Sequence, residues 1–137
     1  MGFLEYLKEA FDKSNSNTIK ENDSGLVTDP IISYLQTAQW SSNDENIEDW
    51  DMLEFSDEAK AEAKKDVEDF INQAGSLLDG LDLAQVTHDF WLTRNGHGAG
   101  FWDGDYEEEI GEQLTDLSKK FKEIDLYQGD DGLLYFA

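Results

Sequence analysis

The chain has no cysteine, a single proline and a single arginine among its 137 residues. Without thiols it has neither a disulfide framework nor a thiolate metal site, which suits a reducing compartment. Only Arg94 and nine lysines carry a positive side chain, so the residues that bind a phosphate backbone by releasing its counterions are scarce, and direct nucleic-acid binding is excluded as an ordinary expectation. Long apolar runs are missing too. No stretch approaches the roughly 20 apolar residues of a membrane span, and the N-terminus lacks a basic region followed by an apolar one. The expectation is a soluble, cytoplasmic chain with no membrane partner.

Acids fill the place of the missing bases. Asp and Glu number 32 against 10 Lys and Arg, a formal net charge of -22. No base occurs from Glu21 to Ala59, a stretch holding Glu21, Asp23, Asp29, Asp44, Glu45, Glu48, Asp49, Asp51, Glu54, Asp57 and Glu58. A second base-free stretch, Asn95 to Ser118, holds Asp103, Asp105, Glu107, Glu108, Glu109, Glu112 and Asp116. Neighbours in sequence cannot neutralise such blocks, so most of the charge is expected to be solvated and to project a negative field over roughly 8 to 10 Å at ordinary salt. Halophilic adaptation is another route to acidity, but nine lysines to one arginine is not its expected pattern.

A mean hydropathy of -0.64 permits disorder, but four Trp, five Tyr and eight Phe, 12% of the chain, argue for a core. One acidic domain over 1–137 is expected, with loops at 14–28 and 41–55. Phe3, Leu4, Leu7 and Phe11 predict a short amphipathic helix over 2–12, and the Ser-, Asn- and Asp-rich residues after it read as a connector. Asp29 as N-cap and Pro30 at the first helical position predict a helix to about Trp40, with Ile31, Ile32, Leu35 and Trp40 available for burial. The segment 41–55 mixes acids with Ile47, Trp50, Met52, Leu53 and Phe55, a pattern that packs aromatics inward and presents carboxylates outward. Ser56 caps the longest predicted helix, whose stripe is Ala59, Ala63, Val67, Phe70, Ile71, Ala74 and Leu77 or Leu78, with Gly80 as its stop. Asp82 and Gln85 resemble a capping box for a helix reaching Thr93, before Asn95 and Gly96. Tyr106, Ile110, Leu114, Leu117 and Phe121 form another stripe. Residues 124–127 and 133–136 flank a Gly-Asp-Asp-Gly turn and predict a terminal hairpin. The fold class is α+β, mainly α: several amphipathic helices with a C-terminal β-hairpin.

The run HDFWLTRNGHGAGFWD from His88 to Asp103, with the ending DLYQGDDGLLYF, resembles a family of small proteins encoded by bacteriophages and mobile elements. The resemblance covers the last third of the chain. It implies a phage protein acting inside a bacterial cell and carries no activity or site residue with it.

His88, Asp89, Arg94, Asn95, His97 and Asp103 are the densest set of groups that can do chemistry. A catalytic reading uses a histidine as general acid or base, oriented by a carboxylate, with Arg94 holding an anion. No nucleophile motif accompanies them. The competing structural reading has Arg94 pairing with a carboxylate or capping a helix end, while Phe90, Trp91, Phe101 and Trp102 form core. No cofactor or metal site is expected. Counted from Asp103, a calcium loop would need glycine and glutamate where Glu108 and Leu114 stand, and two histidines nine residues apart give no zinc spacing.

The acids themselves are the remaining candidate site. Asp105, Glu109, Glu112 and Asp116 recur every ~5 to 6 Å along a helix, comparable with phosphate spacing along one strand. With Asp44, Glu45, Glu48, Asp49, Asp51, Glu54, Asp57 and Glu58 they suit the basic groove of a nucleic-acid-binding host protein. The expectation is a non-enzymatic phage-encoded inhibitor that mimics nucleic acid and blocks a restriction, CRISPR or repair enzyme. The alternatives are an acidic interaction or structural protein that meets its partner through aromatic patches, and a small histidine-dependent enzyme.

Overall fold

The computed structural model describes residues 29–96, 100–101 and 106–137. The predicted N-terminal helix, its connector, His97, Trp102, Asp103 and Asp105 lie outside the described residues. Within them, four α-helices precede a two-stranded antiparallel hairpin, so the fold is α+β and mainly helical. The helices are α1 (Pro30–Ser41), α2 (Asp57–Ala74), α3 (Leu83–Arg94) and α4 (Glu108–Lys120). The strands are β1 (Leu126–Gln128) and β2 (Leu134–Phe136).

Three of the four helix starts follow from a local side chain; α4, after Glu107, has no side-chain cap. Asp29 Oδ1 accepts from the Ile31 and Ile32 amides at 2.8 and 3.2 Å, ahead of Pro30, whose absent N–H is no loss at that position. Ser56 Oγ accepts from Ala59 N at 3.0 Å. Asp82 Oδ1 accepts from Ala84 N at 3.0 Å, but Gln85 does not reach back to complete a capping box; its amide donates to Asp89 instead. α2 ends earlier than expected. Gly75, at φ 53°, closes it, a 3-10 turn carries Leu77 and Leu78, and Gly80 turns the chain afterwards.

The expected burial of Trp40 is overturned: Trp40 is 66% exposed. At about 100° per residue it stands half a turn away from Ile31. Tyr34, Thr37 and Ala38 join Ile31 and Leu35 on the buried face, and Ile32 is half-buried. The α1–α3 contact is the most extensive between helices. Two hydroxyls fix its register: Ser33 donates to Ala84 O at 2.6 Å and Thr87 to Pro30 O at 2.7 Å.

Aromatic rings fill the centre. Phe70 stacks on Phe90 with centroids 4.1 Å apart, Phe121 meets both edge-on, and Tyr34, Trp91 and Phe136 pack together. Such pairs add ~0.5 to 1.5 kcal/mol each beyond the area they bury. Phe101 sits between Phe70 and Tyr106. α4 comes so close to Phe101 that a Cβ at Gly111 would stand 2.5 Å from its carbonyl oxygen, so any larger residue at this helix position forces the backbone to shift.

The hairpin pairs Leu126 with Phe136 and Gln128 with Leu134. β2 also takes a short parallel partner: Leu134 N donates to Glu54 O at 2.9 Å and Ser56 N to Leu134 O at 3.0 Å. The acidic segment before α2 is thereby tied to the C-terminus. Just upstream the segment is held by Gln39, whose Nε2 donates to the Trp50 and Leu53 carbonyls at 2.9 Å, while Trp50 Nε1 donates to Gln39 O at 2.7 Å.

Candidate functional site

Anchoring by Trp50, Ile47, Leu53 and Phe55 sends the alternate residues of the segment outward. Glu45, Glu48, Asp49, Asp51, Glu54, Asp57 and Glu58 are exposed. Asp44 is different: it is half-buried, and its Oδ1 accepts from Asn46 N at 2.9 Å, closing a turn. Met52 is 77% exposed among these acids.

On α4 the buried face is Gly111, Leu114 and Ser118, flanked by Ile110 and Leu117, and Glu109, Glu112 and Asp116 are exposed. Asp105, the fourth member of the expected row, lies outside the described residues. Glu107 and Glu108 are exposed at the same end and extend the row; the sequence signal for them was their place at the helix start, as N-cap and in the first turn, beyond the apolar stripe. Lys119 and Lys120 stand exposed in the last turn. Acids at the N-terminus and bases at the C-terminus both complement the helix dipole, so part of this pattern serves the helix itself.

None of these exposed acids is neutralised by a described residue. The ion pairs among the described residues are Lys65–Asp69, His88–Asp89 and Arg94–Asp66, and none uses a carboxylate of either acidic run. Among the described residues the two runs are thus unpaired surface charge, each carried beside side chains packed on the core.

The His88 to Asp103 motif divides into separate tasks. Arg94 is buried and turned inward. Its Nη1 donates to Asp66 Oδ2 at 2.8 Å and Tyr34 Oη at 3.0 Å, its Nε to Lys122 O at 2.7 Å and its Nη2 to Phe121 O at 2.6 Å. The Phe90 and Phe121 rings each lie 5.6 Å from its Cζ. One guanidinium thus joins α3, α2 and the carbonyls at the end of α4, as the structural reading of this residue required. Burial pushes the neighbouring Tyr34 hydroxyl well above the usual phenol range, with Arg94 opposing.

Asn95 is equally committed: its Nδ2 donates to Trp91 O at 3.0 Å and its Oδ1 accepts from Ile124 N at 2.9 Å. Asp89 is buried and accepts from Tyr106 Oη at 2.5 Å and from Gln85, and it pairs with His88 Nδ1 at 3.1 Å. Burial opposes its ionisation, but the hydrogen bonds from His88, Tyr106 and Gln85 outweigh burial and hold its carboxyl below the usual range. The His88 ring stacks against Trp40, with centroids 6.3 Å apart. Arg94 and Asn95 are thus spent on structure, while His88 and Asp89 pair with each other. Among the described residues no group of three His, Asp or Glu side chains is placed to hold a metal ion. No helix of the described residues is long and apolar enough to cross a membrane.

No family model, curated protein or solved structure matches this chain.

Proposed function

We propose that this chain is an acidic protein of a phage or mobile element that occupies the nucleic-acid groove of a DNA-handling or defence protein in the cytoplasm of a bacterial host. The partner is a basic restriction, CRISPR or repair enzyme. The observation that carries the reading is the exposure of two acidic runs, Glu45 to Glu58 and Glu107 to Asp116, unpaired among the described residues and each fixed to the core by aromatic or aliphatic anchors. Carboxylates held on rigid elements meet basic side chains without the ordering cost of a mobile acidic tail. Long-range attraction then speeds encounter, and like charge discourages contact with nucleic acid itself. The reading assigns no catalysis and no cofactor.

A second reading is favoured by Trp40 and Met52, large apolar side chains left exposed. In it the charge confers solubility and the partner is met through these apolar residues, without mimicry. One experiment separates the two. The full chain captures a partner from a bacterial lysate, and the purified partner is then tested for binding to duplex DNA with and without the chain. Mutually exclusive binding supports the groove reading; a complex that still binds DNA normally supports the apolar contact.

A further inference from the structure

The ends of two helices meet the α4–β1 link beside Trp91. α1 finishes with Ser42 as its C-cap and α3 with Asn95 as its C-cap. Together with residues 123–126 they line a cleft of about 340 Å³, whose polar members are Ser41, Ser42, Asn95, Glu123 and Asp125, with Trp91 in the wall. Two independent features make this cleft negative. Each helix C-terminus points the negative end of its dipole toward the cleft, although Ala38 O, Gln39 O, Trp91 O and Thr93 O already accept hydrogen bonds. α1 has no base in its last turn, and Arg94, the base in the last turn of α3, is turned into the core. Glu123 and Asp125 then add two carboxylates.

The cleft walls are stiff. Trp91 Nε1 donates to Ser41 Oγ at 2.7 Å, and Asn95 bridges Trp91 O and Ile124 N. The Glu123 and Asp125 carboxylates and the Ser42 hydroxyl, by contrast, make no side-chain hydrogen bond or ion pair with a described residue. Lys122, next in sequence to Glu123, forms no ion pair with it. The cleft thus leaves three acceptor side chains, the exposed Glu123 and Asp125 among them, without a described partner above the buried Trp91.

We propose that this cleft receives an arginine side chain of the basic partner. A guanidinium offers five donors in a plane and sheds water more readily than an ammonium, which fits several separated acceptors better than a lysine does. The proposal rests on the reading of a basic partner and adds the contact that holds it. The exposed acidic runs set the rate of encounter, and the cleft sets how long the complex lasts.

The test uses the isotope-labelled full chain and follows the Trp91 indole N–H signal at constant ionic strength. The probes are N-acetyl-arginine amide, N-acetyl-lysine amide and N-acetyl-citrulline amide. The arginine probe gives a saturable shift, the lysine probe binds at least fivefold more weakly and the uncharged citrulline probe gives none. The double variant Glu123→Gln, Asp125→Asn weakens the arginine probe at least tenfold at an unchanged melting temperature. No saturable shift, an equal response to lysine or citrulline, or unchanged binding by the double variant overturns the proposal. The same variant also binds the captured partner at least tenfold more weakly. Full retained affinity there overturns the cleft alone and leaves the acidic-surface reading standing, whereas partner binding that ignores salt while the arginine probe still binds overturns that reading alone.

Discussion

Arg94 and Asp66 form a 2.8 Å ion pair between α3 and α2, with the arginine side chain only 2% exposed and the aspartate partly open to water. The only arginine of a chain with net charge -22 is therefore buried as a structural joint, unavailable to any surface ligand. Removing one member of a buried pair strands the other, which costs ~3 to 5 kcal/mol. Arg94→Met is expected to lose that much in urea unfolding. Asp66→Asn should lose less, because Arg94 keeps Tyr34 and two carbonyls as partners.

Trp91 and His88 separate core from surface within the same motif. Trp91 is buried in contact with Tyr34 and Phe136, and Trp91→Ala is expected to cost ~3 to 5 kcal/mol. His88 is half-exposed, so His88→Ala should change the unfolding midpoint far less and leave partner binding intact. A measured turnover abolished by His88→Ala at full stability would instead establish the enzyme reading.

Gly111→Ala reverses the usual sign. Alanine in a helix interior ordinarily gains ~0.5 to 1 kcal/mol over glycine. Here the added Cβ would meet Phe101 O at 2.5 Å, and the overpacked contact is expected to cost ~1 to 3 kcal/mol. Thermal melts of the variant check this; a raised midpoint would show that α4 does not approach Phe101 so closely.

Asp89 gives the protein a defined acid sensitivity. Its folded carboxyl lies below the usual range because the bonds from His88, Tyr106 and Gln85 outweigh burial. A group whose folded pKa is depressed contributes stability that is present above its unfolded value of about 4 and lost as the pH falls through the folded value. Acid also relieves repulsion among the many surface carboxylates, so the contribution is read as a difference. The gap in stability between wild type and Asp89→Asn is expected to be constant near neutral pH and to shrink below about pH 4. A gap independent of pH would show that Asp89 is not ionised in the fold.

Much of this architecture was legible in the sequence because short-range chemistry decided it. Asp29 with Pro30, Ser56, and the turn before Leu133 each name their own conformation, and the stripes of α2 and α4 follow one period. The misreadings arose where a distant partner decided. Trp40 is apolar but stands on the wrong face of α1, next to His88. Gln85 leaves the capping box for Asp89, one turn along α3, whose carboxylate is held in place by the distant Tyr106. The exposure of the acids in 41–55, Asp44 excepted, was legible from their place among Trp50, Leu53 and Phe55. The cleft was not, since Ser41, Trp91 and Asp125 come together only through tertiary packing.

Salt and DNA competition together test the central claim most directly. The affinity of the captured partner is measured from low to high salt for wild type and for two variants, Glu48→Gln with Asp49→Asn and Asp51→Asn, and Glu109→Gln with Glu112→Gln and Asp116→Asn, each titrated against duplex DNA. The account predicts that wild-type affinity falls steeply with salt, that both variants bind more weakly with little loss of stability, and that DNA displaces the chain from the partner. Affinity unchanged across the salt range, or a partner that binds DNA and the chain at once, would contradict it.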